Sequence, residues 1–233
     1  MNTRVLEIRK GILNKNDEIA RALRTRLHEA GLLTVNLVSS PGSGKTALLQ
    51  RTLRTLREQG RKSVALVGDL ATDNDARRLA ETGVPVKQIN TAGRCHLEAQ
   101  MISDHLDGWD LSDVEYLFIE NVGNLVCPSS YDLGEDFRVV LLSVTEGEDK
   151  PLKYPGIFNS ADMAVITKID LAGPCEFDLV AAMANIQAVR PGMQILTTSA
   201  KSGEGMETWI RALAEKRQAR NVNSDATGTV GLS

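Results

Sequence analysis

The sequence predicts an α/β fold in three layers, with a mainly parallel sheet flanked by helices on both faces. Two observations support this class. Short apolar segments rich in Val, Ile and Leu alternate along the chain with segments of helical periodicity. The first strand-like segment also runs into a glycine-rich turn and then into a helix-like segment. Strands separated by helices form right-handed crossovers, which make neighbouring strands parallel and cover the sheet on both sides.

Each element has a signal of its own. The first helix, over residues 16–30, repeats Ile19, Leu23 and Leu27 on one face and stops at Gly31. Buried strands are predicted at 32–38, 63–67, 85–90, 114–119, 137–144, 161–166 and 194–197. Further helices are predicted at 47–53, 75–82, 95–106, 176–189 and 205–217.

We expect one domain followed by a tail. Residues 1–217, including the N-terminal helix, carry the alternating pattern and are predicted to form a single nucleotide-binding domain. Residues 218–233 are predicted to be a disordered tail, because the stretch from Asn221 is rich in Ser, Thr, Gly and Asn and lacks periodicity.

Composition excludes several classes of function. The 233 residues are 42% hydrophobic, which suffices for one sizeable core, and the net charge of −3 gives no basic field for nucleic acid. No apolar run is long enough to span a membrane, and the charged first residues do not resemble a signal peptide. Three cysteines do not make a disulfide framework. We therefore expect a protein of the reducing cytoplasm, without nucleic-acid or membrane partners.

The turn after the first strand, Ser39–Thr46, is typical of a phosphate-binding loop. Its backbone N–H groups and the positive end of the following helix would face an anion. Lys45 is expected to reach the β- and γ-phosphates as a catalytic residue, and the Thr46 hydroxyl to bind Mg²⁺. Ser39 stands where the usual pattern has glycine, which serine can replace if its backbone stays extended. Nucleotide contacts are expected from Gly42, Ser43, Gly44, Lys45, Thr46 and Ala47.

The segment Thr167–Asp170, Thr-Lys-Ile-Asp, resembles the guanine-recognition motif of GTPases, usually Asn-Lys-x-Asp. Asp170 is expected to accept from two guanine donors that adenine cannot supply together, while Lys168 lays its stem along the base. Thr167 replaces the usual asparagine, so one amide contact is lost or is provided by the hydroxyl. The segment Ser199-Ala200-Lys201 is similar to the loop whose backbone N–H meets guanine O6. The predicted substrate is GTP.

Acidic residues are expected beside the γ-phosphate, at the carboxyl ends of the strands. Asp69 is predicted to hold Mg²⁺ directly or through water, and Glu120 to take the place of the Walker B acid. Asp75 is a candidate for orienting the attacking water, with Asp73 as an alternative, although Asp75 equally suits the first turn of a helix. Gly123 is expected to act as a hinge that meets the γ-phosphate.

Two cysteines and a histidine need a separate explanation. Cys95 and His96 are predicted to open a helix, whose N-terminus would lower the thiol pKa, and Cys127 follows shortly after Glu120. Thiolate and imidazole suit Ni²⁺ or Zn²⁺. Adjacent side chains on a helix point about 100° apart. Cys95 and His96 are therefore not expected to complete one metal site within a single chain, and a site shared across a two-fold axis is expected instead. The alternative is that the cysteines are small buried hydrophobic residues and that His96 lies on a helix surface.

Two lysines lie in the charged, proline-punctuated loop that follows the predicted strand at 137–144. These are Lys150 and Lys153. From this loop Lys153 is expected to reach a nucleotide bound by a second copy of the chain across a two-fold axis. The alternative is that both lysines are simply solvated surface residues.

Together these motifs resemble the HypB family, GTPases that help insert nickel into [NiFe]-hydrogenase. The most specific segments are Glu120–Pro128 and Gly147–Pro155, and the resemblance covers about residues 4–215. It implies a nucleotide- and metal-dependent homodimer of the deviant P-loop class, which includes signal-recognition, nitrogenase-iron-protein and septum-site ATPases. It also implies that Ni²⁺ or Zn²⁺ is bound and that the partners are the hydrogenase large subunit and a HypA-like nickel-binding protein. The metal ligands implied are Cys95, His96 and Cys127.

The sequence departs from the HypB pattern in two places. It shows neither the Cys-x-x-Cys-Gly-Cys segment nor the His-rich tract that the family carries, so neither a tight N-terminal nickel site nor nickel storage is expected. A urease accessory GTPase, or another metal-delivery GTPase, is the alternative. The urease factor carries Cys-Pro-His, whereas Ser129 follows Cys127 and Pro128 here. A pure metal-storage protein would not need the guanine motif.

Overall fold

Seven parallel strands form one sheet in the computed structural model, which describes residues 3–69 and 74–228, with side chains from residue 10 through residue 222. The spatial order is β3-β2-β4-β1-β5-β6-β7. The strands are β1 Leu33–Ser39, β2 Ser63–Asp69, β3 Val86–Asn90, β4 Tyr116–Glu120, β5 Phe137–Ser143, β6 Met163–Thr167 and β7 Gln194–Thr197. The predicted α/β class and flanked parallel sheet are confirmed.

Helices cover both faces of this sheet. They are α1 Thr3–Glu29, α2 Lys45–Glu58, α3 Asn74–Ala80, α4 Ala99–Leu106, α5 Lys150–Lys153, α6 Pro155–Ser160, α7 Leu179–Val189 and α8 Met206–Gly228. Two short 3-10 helices lie at Cys127–Ser130 and Ile169–Leu171. Within the described part of the chain, no helix is long and apolar enough to cross a membrane.

The core lies on both sides of β1, which is buried along its whole length and pairs with β4 and β5. One face packs against α2, α3 and α8, where the indole of Trp209 donates to Thr52 Oγ1 at 2.8 Å. The other face packs against α1 and α4 near β2 and β4, and against α6 and α7 near β5 and β6. Because all strands run in the same direction, their carboxyl ends meet at one edge of the sheet, and this edge carries the site.

Several element boundaries differ from the prediction, and helices α5 and α6 were not predicted. Helix α1 begins at Thr3 rather than near residue 16, and α4 begins at Ala99 rather than at Cys95. Helix α8 continues to Gly228, although a tail was expected from residue 218. Arginines anchor the helix where the extension begins: Arg217, the last residue of the predicted helix, pairs with Glu115 at 2.9 Å, and Arg220 in the extension donates to the His28 carbonyl at 3.0 Å. The predicted tail residues 229–233 lie outside the described residues.

Candidate nucleotide and metal site

The phosphate loop connects β1 to α2 through two glycines with left-handed backbone. Gly42 has φ 75° and Gly44 has φ 93°, and Gly44 is the N-cap residue of α2. Both values lie where side-chain-bearing residues are strained. The loop borders a cavity of about 370 Å³, which also receives residues from the ends of β2 and β4. The strand, turn and helix predicted from the sequence are therefore all present at the carboxyl edge of the sheet.

Lys45 and Ser39 contact each other across the loop. Lys45 is buried, and its Nζ donates to Ser39 Oγ at 2.8 Å. Ser39 is the last residue of β1, so its backbone is extended, as the replacement of glycine by serine requires. Burial lowers the pKa of Lys45, while Glu120, Asp75 and other nearby acids oppose this effect. The lysine thus lies beside the cavity in which phosphates would bind.

The acid at the end of β4 is almost completely enclosed. Glu120 Oε1 accepts a hydrogen bond from Thr46 Oγ1 at 2.7 Å, whereas Oε2 has no hydrogen-bond partner among the described residues. Burial raises the pKa of Glu120 to about 7, opposed by the charge of Lys45 and the Thr46 hydrogen bond. Asp69 and Asp75 border the same cavity, and Asp75 lies in the first turn of α3. Asp73 lies outside the described residues.

Because the pKa of Glu120 is raised, we expect the free energy of unfolding of the nucleotide-free protein to depend on pH. Between pH 4.5, the ordinary value, and about pH 7, the folded chain holds a proton that the unfolded chain has released. The free energy of unfolding should therefore fall as pH rises through this window and level off above it. Relative to Glu120→Gln, the wild type should lose roughly 1–3 kcal/mol of stability between pH 4.5 and 8.

Urea unfolding at the two pH values, without nucleotide or divalent ion, measures this difference. Glu81→Gln is the matched control, because Glu81 is exposed. If the free energy of unfolding changes with pH by the same amount in the wild type and in Glu120→Gln, the assigned environment of the carboxyl group is contradicted.

A second cavity, of about 240 Å³, adjoins the phosphate loop and contains the predicted base-binding residues. It is lined by Gly44, Ala47, Leu48, Thr167, Lys168, Asp170, Leu171, Thr198, Ser199, Ala200 and Lys201. Asp170 lies in the 3-10 helix after β6, and Lys168 has left-handed backbone with φ 57°. Two segments far apart in sequence, 167–170 and 199–201, thus converge on one apolar slot of the kind that ligands occupy.

The threonine in place of asparagine still contacts the phosphate loop. Thr167 Oγ1 donates to the Ser43 carbonyl at 2.6 Å, and Lys168 Nζ donates to the Gly42 carbonyl at 2.7 Å. The hydroxyl therefore supplies the contact that the sequence left open. These two bonds join the base-binding segment to the loop that would hold the phosphates.

Cys95, His96 and Cys127 form a compact cluster within a single chain. One potential ligand atom from each residue lies within 4.8 Å of the others. The sulfur atoms of Cys95 and Cys127 are 2.7 Å apart, and Cys95 Sγ is 3.7 Å from His96 Nδ1. All three residues are partly buried. Two thiols and an imidazole at these distances form a donor set suited to Zn²⁺ or Ni²⁺.

The predicted helical environment of Cys95 and His96 is wrong. Helix α4 begins at Ala99 after the extended N-cap residue Glu98, with φ −120° and ψ 152°, so neither ligand lies on a helix. The steric reason for excluding convergence within one chain therefore does not apply. The expected lowering of the thiol pKa is also wrong, because the contact with Cys127 and burial raise the pKa of Cys95.

Neighbouring side chains fix the position of the imidazole. His96 stacks on Tyr131, with ring centroids 3.8 Å apart and planes inclined by 27°. Its Nε2 lies 3.5 Å from Glu98 Oε1, which is too long for a strong hydrogen bond, and it has no hydrogen-bond partner among the described residues. Burial lowers the pKa of His96 although Glu98 opposes the effect. A neutral imidazole with an open nitrogen is the form that binds a metal.

One segment touches both the nucleotide cavity and the metal cluster. A Cβ on Gly123 would lie 2.9 Å from the backbone of Pro41, so only glycine allows this approach to the phosphate loop. Asn124, the next residue, donates through Nδ2 to the Cys95 carbonyl at 3.2 Å and accepts from the Cys127 N–H at 3.4 Å. Gly123 therefore lies against the phosphate loop, and its expected role as a hinge that meets the γ-phosphate stays a prediction.

Lys150 and Lys153 lie away from the two nucleotide cavities of their own chain. They belong to α5, and Lys153 Nζ pairs with Asp149 Oδ2 at 2.5 Å on the exposed surface. Lys150 borders an open cleft between the phosphate loop and the segment of Gly123. The contact of Lys153 with the nucleotide of a second chain stays a prediction.

Sequence reasoning missed several residues of the site. Arg78 borders the phosphate cavity 3.9 Å from Asp75, and the i, i+3 spacing on α3 is the signal that would have identified it. Asn124 and Tyr131 were missed because their contacts join segments distant in sequence. For Asn124, its position between Gly123 and Cys127 is the only local signal.

Known proteins match the chain over most of its length. Residues 33–197 match the family model described as CobW/HypB/UreG, nucleotide-binding domain. Hydrogenase maturation factor HypB from Azotobacter vinelandii is 48% identical over 218 residues, which cover 94% of this chain and 72% of the relative. The factor of the same description from Escherichia coli K12 is 48% identical over 216 residues, covering 93% and 74%.

A solved structure shows the same fold at comparable identity. The crystal structure described as HypB from Helicobacter pylori in complex with nickel superposes with a TM-score of 0.83 and 42% sequence identity. The match covers 88% of this chain and 96% of that one.

Proposed function

This chain belongs to the HypB hydrogenase maturation factors of the CobW/HypB/UreG family, and on that premise we propose that it is a GTP-hydrolysing metallochaperone. It binds nickel, or zinc, through Cys95, His96 and Cys127 and assists nickel insertion into [NiFe]-hydrogenase. Its partners are a second copy of itself, the hydrogenase large subunit and a HypA-like nickel-binding protein. It acts in the cytoplasm, where unpaired cysteines stay reduced.

A single observation carries this proposal: the segment 123–127 contacts the phosphate loop at one end and contributes Cys127 to the thiol and imidazole cluster at the other. A γ-phosphate placed against Gly123 would hold this segment, and its loss would release it. Cys127 would then shift relative to Cys95 and His96, which belong to a different element. Nucleotide state would thereby change the affinity for the metal.

The residues of the nucleotide cavities have complementary roles in the proposed hydrolysis. Lys45 stabilises negative charge on the β- and γ-phosphates, and Asp75 orients the attacking water. Asp170 selects guanine, with Lys168 alongside the base and Ser199–Lys201 at its O6 edge. Backbone N–H groups from Gly42 to Ala47 surround the phosphates. Positioning and charge stabilisation account for most catalysis in this class of reaction.

The acidic end of the phosphate cavity fits Mg²⁺. Thr46 and Glu120 are joined by a hydrogen bond, Asp69 borders the same space, and Glu120 Oε2 is a buried oxygen without a described hydrogen-bond partner. Oxygen atoms of this kind are the ligands Mg²⁺ prefers. When bound with GTP, the ion would neutralise charge that develops on the phosphates. Thr46, Asp69 and Glu120 would hold it.

GTP turnover measured with and without Ni²⁺ tests the proposed activity against its alternatives. We expect phosphate release from GTP but not from ATP, and Lys45→Ala should abolish it. A metal-storage protein would bind Ni²⁺ without hydrolysing GTP, and that result would contradict the proposal. Stimulation of urease maturation in cells that lack their own factor, without an effect on hydrogenase, would instead favour the urease GTPase.

The proposed dimer predicts that replacing Lys153 weakens dimerisation. If Lys153 reaches the nucleotide of the partner chain, Lys153→Ala should weaken dimerisation with a GTP analogue about tenfold, equivalent to the loss of a charged hydrogen bond. The GDP state should not change. Sedimentation velocity in both states measures this difference.

Lys62→Ala is the matched control for that experiment, because Lys62 is similarly exposed and pairs with Asp113 at 2.8 Å. Equal dimerisation of the Lys153 variant and the wild type would reject the contact of Lys153 with the partner's nucleotide. Nickel stoichiometry per dimer tests separately whether the metal site is shared at the dimer interface.

A further inference from the structure

An asparagine of the N-terminal helix bridges the two segments that carry the metal ligands. Asn16 lies on α1 and is 6% exposed. Its Oδ1 accepts from the Ala99 N–H at 2.9 Å, and its Nδ2 donates to the Asp132 carbonyl at 2.8 Å. Ala99 lies at the end of the segment that begins with Cys95, and Asp132 lies at the end of the segment that begins with Cys127.

The surrounding contacts hold this bridge in place. Arg24, also on α1, pairs with the carboxylate of Asp132 at 2.5 Å. The backbone of α1 passes so close to the same loop that a Cβ on Gly134 would lie 3.0 Å from the Ala20 carbonyl. Helix α1 therefore fixes the loop after Cys127, and Asn16 connects that loop to the start of α4.

A second asparagine bridges the same two segments nearer to the ligands. Asn124 contacts the Cys95 carbonyl and the Cys127 N–H, and it adjoins Gly123 at the phosphate loop. Asn16, by contrast, borders neither nucleotide cavity. The two bridges thus join the same segments, but only the Asn124 bridge adjoins a residue that borders the phosphate cavity, Gly123.

We propose that Asn16 is a positioning residue for the metal site and sets its affinity independently of nucleotide state. It acts by fixing the distance between the segment of Cys95 and His96 and the segment of Cys127. Removing groups that orient metal ligands lowers metal affinity. Asn16 contacts no ligand residue itself, so its effect passes through the backbone of the two segments that carry the ligands. This inference rests on the proposed function, because it assumes that the cluster binds nickel.

Nickel titration of the full chain in the presence of a competing chelator tests the inference. Asn16→Ala is expected to weaken Ni²⁺ binding about tenfold with GDP and equally with a GTP analogue, so the ratio of the two affinities stays that of the wild type. The thiolate-to-nickel absorption band should shift as well, because the ligand geometry changes. Asn185→Ala, which removes a similar bond from Asn185 to the Glu148 carbonyl, should change neither property.

Asn16→Asp provides a second variant in case the alanine protein folds poorly. Aspartate can still accept from Ala99 N–H but places its charge against the Asp132 carbonyl, so the same uniform weakening is expected. Folded variants with wild-type Ni²⁺ affinity and spectrum would overturn the inference, even if their melting temperature fell. Loss confined to one nucleotide state would also overturn it. Wild type that fails to bind Ni²⁺ through Cys127 would instead refute the proposed function.

Discussion

Asp170→Asn is expected to weaken GTP binding by about 10²–10⁴-fold and to reverse the preference between GTP and xanthosine triphosphate. Asp170 lines the second cavity, and under the proposed function it would accept from the two donors on one edge of guanine. The substitution removes the charge and one acceptor, leaving a guanine donor unpaired, which costs about 3–5 kcal/mol. Xanthine has a carbonyl where guanine has its amine, so the new amide donates to it.

Nucleotide binding measured by calorimetry with both triphosphates checks this expectation. Asp178→Asn is a suitable control, because Asp178 caps α7 by accepting from Ala181 N–H and asparagine caps helices equally well. If Asp170→Asn binds GTP as tightly as the wild type does, the assignment of the second cavity to guanine fails.

Cys127→Ala is expected to reduce Ni²⁺ affinity by at least about 100-fold and to remove its dependence on nucleotide, because one of three clustered donors is lost. In the wild type, the two nucleotide states should differ in Ni²⁺ affinity by about 5–150-fold, and linkage requires Ni²⁺ to change nucleotide affinity by the same factor. GTP binding itself should change little in the variant, since Cys127 borders neither nucleotide cavity.

Titrations of both metal and nucleotide, each in the presence of the other, test this reciprocity. Cys175→Ala provides the matched control, because Cys175 is exposed and lies outside the cluster. Equal Ni²⁺ affinities of the wild type in the GTP-analogue and GDP states would refute control of the metal by nucleotide. If the Cys127 variant keeps the wild-type ratio of Ni²⁺ affinities between the two nucleotide states, the nucleotide-dependent metal site does not include Cys127.

The parts of the site that are contiguous in sequence could be predicted from it. The phosphate loop needs a strand, two glycines with left-handed backbone and a helix, and all of these are encoded within Leu33–Glu58. The segment at Thr167–Asp170 is likewise local, and its cavity contains the expected residues. Such motifs carry their binding groups on a few consecutive residues, so neighbouring residues suffice to identify them.

The conformation around Cys95 could not be predicted in the same way. Apolar periodicity continues through residues 95–106 and favours a helix, yet α4 begins only at Ala99. Remote asparagines hold the preceding segment outside the helix: Asn124 binds the Cys95 carbonyl, Asn121 accepts from Leu97 N–H at 3.4 Å, and Asn16 accepts from Ala99 N–H. Tertiary hydrogen bonds thus override local preference, and they also bring His96 toward the cysteines.

The hydrogen bonds from Thr167 and Lys168 to the phosphate loop lie in one wall of the nucleotide cleft. They join the base-binding segment to the Gly42–Ser43 backbone, so the walls around guanine and the first phosphates would need little ordering. GTP and GDP share guanine and the first two phosphates, so under the proposed function this half of the cleft would hold substrate and product alike. Sensing of the third phosphate would then fall to the opposite wall, where Gly123 faces Pro41. Guanine selection and the timing of metal release would consequently be properties of different walls, and either could change without the other.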